Sequence, residues 1–460
     1  MTKKIFLFWT IFAIAVLSLH GCGGSDPAPV DLGDLINEPE TPEGPEGPVV
    51  PPGELGDLID LGDLVEPRGD HWYFTRAIAM NDSGIVVGES NCDGIRTKCG
   101  FRWEAESEAM TCLCCSLHPD CSFSEAIDIN NSGRVIGNST GCRLPMGSTK
   151  AFVWDNGICT DLHALGGFNS SYAEDVNDRG EVVLTASIPG EDKRPWYWPG
   201  SGSFFVPLCI IAGAEGGEAV AINENGHIII DSGDTVVFED LTLPLCESLN
   251  HLPGAAKTVA VDINDSQYAN NDGIPDPHII GNSGNGSLVL GEDPSVHGFF
   301  WDGGAMYPVD HLGGGTSEVS DMNNSDQVVG GATTADGSVH AFLWTLREDK
   351  RGIIRDLGTL GGRNSFATAI NEAGQVVGYS ETGYVYREEG IEPFTVWHAF
   401  LWDRGVMYDL GVHNDFYDYP FILPYPFSEG VDINDNGQVA GNSMTINSHY
   451  RGFYLSPVFP

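Results

Sequence analysis

Beyond residue 55 the chain is built from short runs in which apolar and polar residues alternate, broken every few positions by Asn, Asp or Gly. The stretch 366–411 is the clearest. Ala367-Thr368-Ala369-Ile370 alternates with the period of two that a strand with one buried face requires. Asn371-Glu372-Ala373-Gly374 follows and reads as a tight turn, in which Asn bonds to its own backbone and Gly supplies positive φ. Gln375-Val376-Val377-Gly378-Tyr379 is a second strand, His398-Ala399-Phe400-Leu401-Trp402 a third and Gly405-Val406-Met407-Tyr408-Asp409-Leu410-Gly411 a fourth. Four short antiparallel strands joined by hairpins are predicted.

The pattern recurs. The phrase Ile-Asn-x-x-Gly-x-Val-Val-Gly is centred on Asn81, Asn130, Asn177, Asn223, Asn264, Asn323, Asn371 and Asn434, at spacings of 49, 47, 46, 41, 59, 48 and 63 residues. Repeats of this length carrying four strands predict an all-β fold, a β-propeller with one blade per repeat. The third strand recurs as Gly100-Phe101-Arg102-Trp103, Ala151-Phe152-Val153-Trp154, Pro195-Trp196-Tyr197-Trp198, Gly298-Phe299-Phe300-Trp301 and Ala341-Phe342-Leu343-Trp344, with a degenerate copy at 235–238. Its tryptophans are expected to pack blade against blade. The eighth copy ends after its third strand, near residue 456. Gly56-Asp57-Leu58-Ile59-Asp60-Leu61-Gly62-Asp63-Leu64 precedes the first copy and reads like the missing fourth strand. A closed propeller of eight blades is therefore expected, with 56–64 completing the last and hiding the open edge between last and first. Seven blades with one degenerate copy looped out is the alternative.

His340-Ala341-Phe342-Leu343-Trp344, Asp356-Leu357-Gly358-Thr359-Leu360-Gly361-Gly362 and Ile370-Asn371-Glu372-Ala373-Gly374-Gln375-Val376-Val377-Gly378 resemble the HAF repeat of bacterial extracellular proteins. The resemblance covers nearly all of 56–456 and is weakest around 200–300. It implies an exported β-repeat protein and brings no assigned chemistry.

The N-terminus agrees with export. Lys3 and Lys4 precede an apolar run from Ile5 to Leu19, too short for a comfortable membrane span. Leu19-His20-Gly21-Cys22 resembles the lipobox of bacterial lipoproteins, with His20 where a small residue is usual. That implies a signal peptide over 1–21, lipidation of Cys22 and attachment to the membrane through the acyl chains. Gly23 follows Cys22 where an inner-membrane retention signal would place Asp, so the outer membrane is the expected address. Residues 22–54 are rich in Pro, Gly and Glu and are expected to form an extended tether ahead of a propeller over 55–460.

Charge narrows the partners. The chain has 460 residues with 65 acidic and 22 basic side chains, a net charge of −43. Such a surface repels phosphate backbones, which excludes nucleic acid. Ten cysteines remain after Cys22, all before residue 247, and in an exported chain they are expected to form disulfides.

Candidate chemistry is sparse. His297, His340 and His398 share one repeat position, but Cys99, Lys150, Arg194 and Arg451 hold it elsewhere, which points to a strand cap rather than a metal. The fifth repeat inserts a loop whose Asp262, Asn264, Asn270, Asp272 and Asp276 offer the closely spaced hard oxygens that Ca2+ takes. No His-Glu-x-x-His, Gly-x-Ser-x-Gly, Walker or Rossmann pattern occurs. In a four-stranded blade the turns between strands one and two and between three and four lie at one end, and here they are short. The loops at the other end are long and variable: 89–98, 138–149, 282–296, 379–397 and 442–450 within blades, and 105–125 and 411–429 between them. Variable loops on a rigid scaffold are where binding sits. Loop 411–429 carries Phe416, Tyr417, Tyr419, Phe421 and Tyr425, aromatics suited to sugar rings or a protein partner. The expected function is a non-catalytic binding module for polysaccharide or a surface or periplasmic protein. The alternative is a polysaccharide hydrolase or lyase with carboxylates meeting in a central pocket.

Overall fold

A computed structural model describes residues 49–51, 55–64, 74–92, 98–114, 117, 121–141, 148–208, 217–233, 235–241, 245–265, 277–347, 350–386, 393–412, 427–444 and 450–458. Within them the chain is all-β apart from one short helix, Leu162–Gly166, capped at its start by Asp161. Each of the first seven repeats folds as a four-stranded antiparallel unit in sequence order. The first unit is Thr75–Met80, Ile85–Asn91, Lys98–Glu104 and Ala109–Cys112. The seventh is Ser365–Ile370, Val376–Tyr386, Phe394–Asp403 and Val406–Gly411, the four strands expected from its alternation.

The eighth unit supplies three strands, Phe427–Ile433, Val439–Met444 and Tyr450–Leu455, and its fourth comes from the other end of the chain. Ile59–Asp60 pairs antiparallel with Tyr450–Leu455, Ile59 opposite Tyr454 and Asp60 opposite Phe453. Asp60-Leu61-Gly62 reproduces the ends of other fourth strands. Gly62 N–H donates to Asp60 Oδ1 at 2.8 Å, as Gly358 N–H does to Asp356 and Gly411 N–H to Asp409. The Thr75 hydroxyl donates to Gly62 C=O, as Ser365 does to Gly358 and Ser428 to Gly411. Just upstream, Val49–Val50 adds a parallel strand to the outer edge of the seventh unit.

The units stand side by side with their first strands innermost. Each first strand packs on the first strand of the next unit, and Phe427–Ile433 packs on Thr75–Met80. Between every two neighbouring units lies one apolar cluster. The tryptophans fill these seams as expected. Trp103 lies 5.1 Å from Tyr454 by ring centroids, Trp301 5.7 Å from Phe238 and Trp344 5.5 Å from Phe300. Radial four-stranded sheets with cores between them are the architecture of a β-propeller.

A single device repeats at every seam. The turn asparagine is buried, and its Oδ1 accepts backbone N–H groups of its own turn, as in Asn81 with Ser83 and Ile85. Its Nδ2 donates to the backbone carbonyl of the same asparagine in the next unit. The series runs Asn81, Asn130, Asn177, Asn223, Asn264, Asn323, Asn371 and Asn434, and Asn434 donates to Asn81, at 2.8 to 3.2 Å throughout. A second series lies beside it. The backbone N–H of Asp82, Asn131, Asp178, Glu224, Asp265, Asn324, Glu372 and Asp435 each donates to the side-chain oxygen of the next, and Asp435 donates to Asp82.

The first strands are all bulged three residues before this asparagine, which turns the preceding carbonyl onto the second strand. The glycine of Val-Val-Gly answers to that carbonyl: a Cβ on Gly88 would sit 1.9 Å from Arg76 O, and on Gly378 2.0 Å from Phe366 O. The turn Gly has φ between 71° and 85° at Gly84, Gly133, Gly180, Gly226, Gly374 and Gly437. In the sixth unit Asp326 takes this place at φ 58°, and its Oδ1 accepts from Asn264 Nδ2 and meets His278 Nδ1.

Disulfides form among the cysteines that follow Cys22, as expected. Cys92–Cys99 ties the second and third strands of the first unit, and Cys114–Cys159 ties the first unit to the second.

Replacing Asn434 by Ala removes the Nδ2 bond to Asn81 and takes the acceptor from the N–H groups of Asn436 and Gln438, at a cost of about 2–4 kcal/mol. Urea denaturation should show this loss, whereas Asn436→Ala, at an exposed turn position, should cost under about 1 kcal/mol.

Candidate functional site

The two ends of the molecule are chemically unlike. At the short-turn end the side chains are taken up by the two hydrogen-bond series. At the other end lie the residue five before each turn asparagine and its cross-strand partner. These pairs are Arg76 with Glu89, Glu125 with Asn138, Tyr172 with Thr185, Glu218 with Asp231, Val259 with Asn282, Glu318 with Gly331, Phe366 with Tyr379 and Glu429 with Asn442.

Some of these pairs join units. Asn138 clamps Ala173 through both its N–H and C=O, Asn282 clamps Val319, and Asn442 clamps Ala77. The others gather charge and aromatic surface. Arg76 is the hub across the eighth, first and second units. Its Nε lies 3.0 Å from Glu89 and its Nη2 3.4 Å from Glu125. Tyr172 donates to Glu125, and Tyr450 and Asn442 donate to Glu429. Burial opposes the charge on Arg76, but Glu89, Tyr450, Glu125 and Glu429 around it raise its pKa overall. Burial pushes the Glu125 and Glu429 carboxyls above the ordinary range, with Glu89 adding like charge at Glu125. Lys98 stands 3.4 Å from Glu89 and 3.5 Å from the Phe74 ring centroid, and burial lowers its pKa.

Further round, Tyr379 packs against Phe366 at 5.9 Å, Trp397 at 5.7 Å and Phe427 at 6.4 Å between ring centroids. Burial raises Glu318 to about 7, although Leu290 N–H donates to it at 2.7 Å. Burial raises Glu174, a bulge residue of the third unit, to about 8, with Glu218 adding like charge. A cleft of about 160 Å³ opens between the first and second units, lined by Glu89, Lys98, Phe123, Ser124, Glu125 and Thr140.

The histidine position is explained by pairing within a unit. His340 Nδ1 meets Asp356, and His398 Nδ1 meets Asp409, the aspartates of the Asp-Leu-Gly ends. In the eighth unit Arg451 does the same with Asp60 and Asp63 of the N-terminal segment. Of the expected calcium residues, Asp262 accepts from Ile263 N–H, and Asn264 accepts from His278 N–H at its Oδ1 and donates through its Nδ2 to Asn323 C=O. Asn270, Asp272 and Asp276 lie outside the described residues, as do Phe416, Tyr417, Tyr419, Phe421, Tyr425 and Cys22. Among the described residues no His, Cys, Asp and Glu groups gather as a metal site. No described helix is long and apolar enough to cross a membrane.

No family model matches the chain, and no curated protein matches it. Solved structures do. The β-propeller domain of the Trilobed protease from Pyrococcus furiosus, described as having an open velcro topology, is 12% identical, with a TM-score of 0.45 over 76% of this chain and 99% of that one. The Dos1 propeller is 11% identical, with a TM-score of 0.45 over 87% and 95%. The WD40 domain of SCAP from fission yeast is 11% identical, with a TM-score of 0.43 over 87% and 98%.

The buried carboxyls make stability depend on pH. Glu318 and Glu174 hold a proton more tightly folded, at about 7 and about 8, than the ordinary 4.5. Their contribution is complete below about 4.5 and is lost as pH rises through 7 to 8. Thermal unfolding followed from pH 5 to 8 should show Tm falling, and falling less in the double variant Glu318→Gln, Glu174→Gln. An identical pH slope in the variant would remove these groups from the account.

Proposed function

We propose that the protein is a lipid-anchored binding module of the bacterial outer membrane, a closed propeller of eight HAF-like blades carried on the 22–54 tether from an acylated Cys22. Its ligand is a polysaccharide or a surface or periplasmic protein, gripped at the long-loop end. Closure draws support from the Ile59–Asp60 pairing and from the bond of Asn434 back to Asn81. The observation that carries the functional reading is the asymmetry of the ends. The short-turn end commits its polar groups to joining units, while the long-loop end holds Arg76, Lys98, the glutamates and the aromatics beside a cleft. In the sequence the aromatic segment 416–425 runs between the seventh and eighth units.

A hydrolase or lyase reading has one specific observation in its favour. Burial raises the Glu174 and Glu318 carboxyls into the neutral range, to about 8 and about 7, where a general acid works. A polysaccharide panel assayed for both binding and product release separates the two. Retention without new reducing ends is expected, and reducing-end release abolished by Glu174→Gln or Glu318→Gln would make the protein an enzyme. Labelled palmitate should enter the wild type and not Cys22→Ser; equal labelling would end the anchor.

Calcium binding by loop 262–276 is part of the same proposal. Calorimetry should give calcium-dependent heat that Asp272→Ala abolishes; heat unchanged in that variant would assign the ion elsewhere.

A further inference from the structure

We infer that the cleft between the first and second units is a subsite for one neutral hexopyranose residue of a glycan, an inference that rests on the binding reading above and gives it a place and a substrate class. The cleft combines three features a sugar ring needs. One wall is Phe123, a large apolar side chain at the start of an ordered strand that is nonetheless 42% exposed. An exposed aromatic ring suits the C–H face of a pyranose. The rest of the lining is polar: Glu89 and Glu125 accept from hydroxyls, and Lys98 donates to them. Ser124 sits at the base, held there because its Oγ accepts Gly100 N–H at 3.1 Å.

The polar groups are fixed before a ligand arrives. Arg76 bridges Glu89 and Glu125 from behind, and Tyr172 donates to Glu125 at 3.3 Å. Lys98 is held on the third strand beside Cys99, whose disulfide to Cys92 ties it to the end of the second strand, and its register partner across the seam is Phe123. Wall and donor are thus set side by side by the backbone, which limits the ordering that binding would otherwise require.

Charge selects the class. Arg76 and Lys98 are matched by Glu89 and Glu125, so the cleft offers no surplus charge of either sign. A phosphate or uronate would meet the two carboxylates and the field of a chain carrying −43. A neutral polyol meets donors and acceptors together. The volume of about 160 Å³ holds one sugar residue and not a chain, so neighbouring residues of a glycan would extend along the long-loop face.

Saturation-transfer NMR on the purified protein tests this with the methyl glycosides of glucose, galactose and mannose, N-acetylglucosamine, and methyl glucuronide as the anionic control. At least one neutral glycoside should bind, and the glucuronide more weakly. Phe123→Ala and Glu125→Gln should each weaken it about tenfold. Phe123→Ala should leave Tm unchanged, which separates lost stacking from lost folding. A neutral glycoside bound equally by Phe123→Ala would overturn the cleft while leaving glycan binding standing. Binding of the polysaccharide panel without binding of any monosaccharide would overturn the subsite alone. Failure of both would overturn the subsite and the glycan reading together.

Discussion

A buried primary amide has two donors and an acceptor to satisfy, and no unit of this protein can satisfy its own. The turn asparagine spends its oxygen within its hairpin and must send its Nδ2 to the carbonyl of the next unit. An amide left without that carbonyl would hold a desolvated donor inside the protein, at a cost larger than most single contacts contribute. The dependence is passed from unit to unit and comes back from Asn434 to Asn81. Spacings from 41 to 63 residues are compatible with it because the extra residues lie outside the paired strands; in the fifth unit they lie within the turn itself, where His278 N–H still donates to the Asn264 Oδ1. The apolar clusters supply the bulk of the attraction between units, but they are forgiving of small slips. The amide bond is directional, so it fixes how far each unit can rotate against the next.

Much of this was legible in the sequence. Strand order, the tryptophan seams and the Ile59–Asp60 pairing all follow from period-two alternation and from counting strands in the eighth repeat. The turn asparagine was only half legible. Its bonds within the hairpin follow from Asn-x-x-Gly, but its bond to the next unit depends on a neighbour 41 to 63 residues away, and spacing does not encode that. The shared position of His340, His398 and Arg451 was legible as structural by its variety, while its partner, the aspartate of Asp-Leu-Gly, required the register of third and fourth strands.

The long-loop end was legible as a place and not as a set of residues. Arg76, Glu125 and Glu429 come from three repeats and opposite ends of the chain, and nothing in local pattern brings them together. One signal would have found them. The position five before the turn asparagine reads Arg, Glu, Tyr, Glu, Val, Glu, Phe and Glu through the repeats. A surface hydrophobic or charge taken alone at any of these positions is unremarkable; the series is not.

That contrast bears on how a repeat protein acquires a site. Every first strand delivers its residue five before the asparagine to the same place in its unit, because bulge, turn and amide bond are constant. Geometry is therefore supplied by the invariant positions, and chemistry can change at the variable one without disturbing them. Where the pair across the strands is Glu125 with Asn138 or Glu429 with Asn442, the amide ties units together and the carboxyl faces its neighbours' tyrosine or arginine. Where it is Arg76 with Glu89, no amide is present, and an ion pair and a cleft take its place. The cleft thus lies at a seam where the second strand carries a charge in place of the clamping amide, and the Cys92–Cys99 and Cys114–Cys159 bridges, both rooted in that same first unit, constrain the chain there.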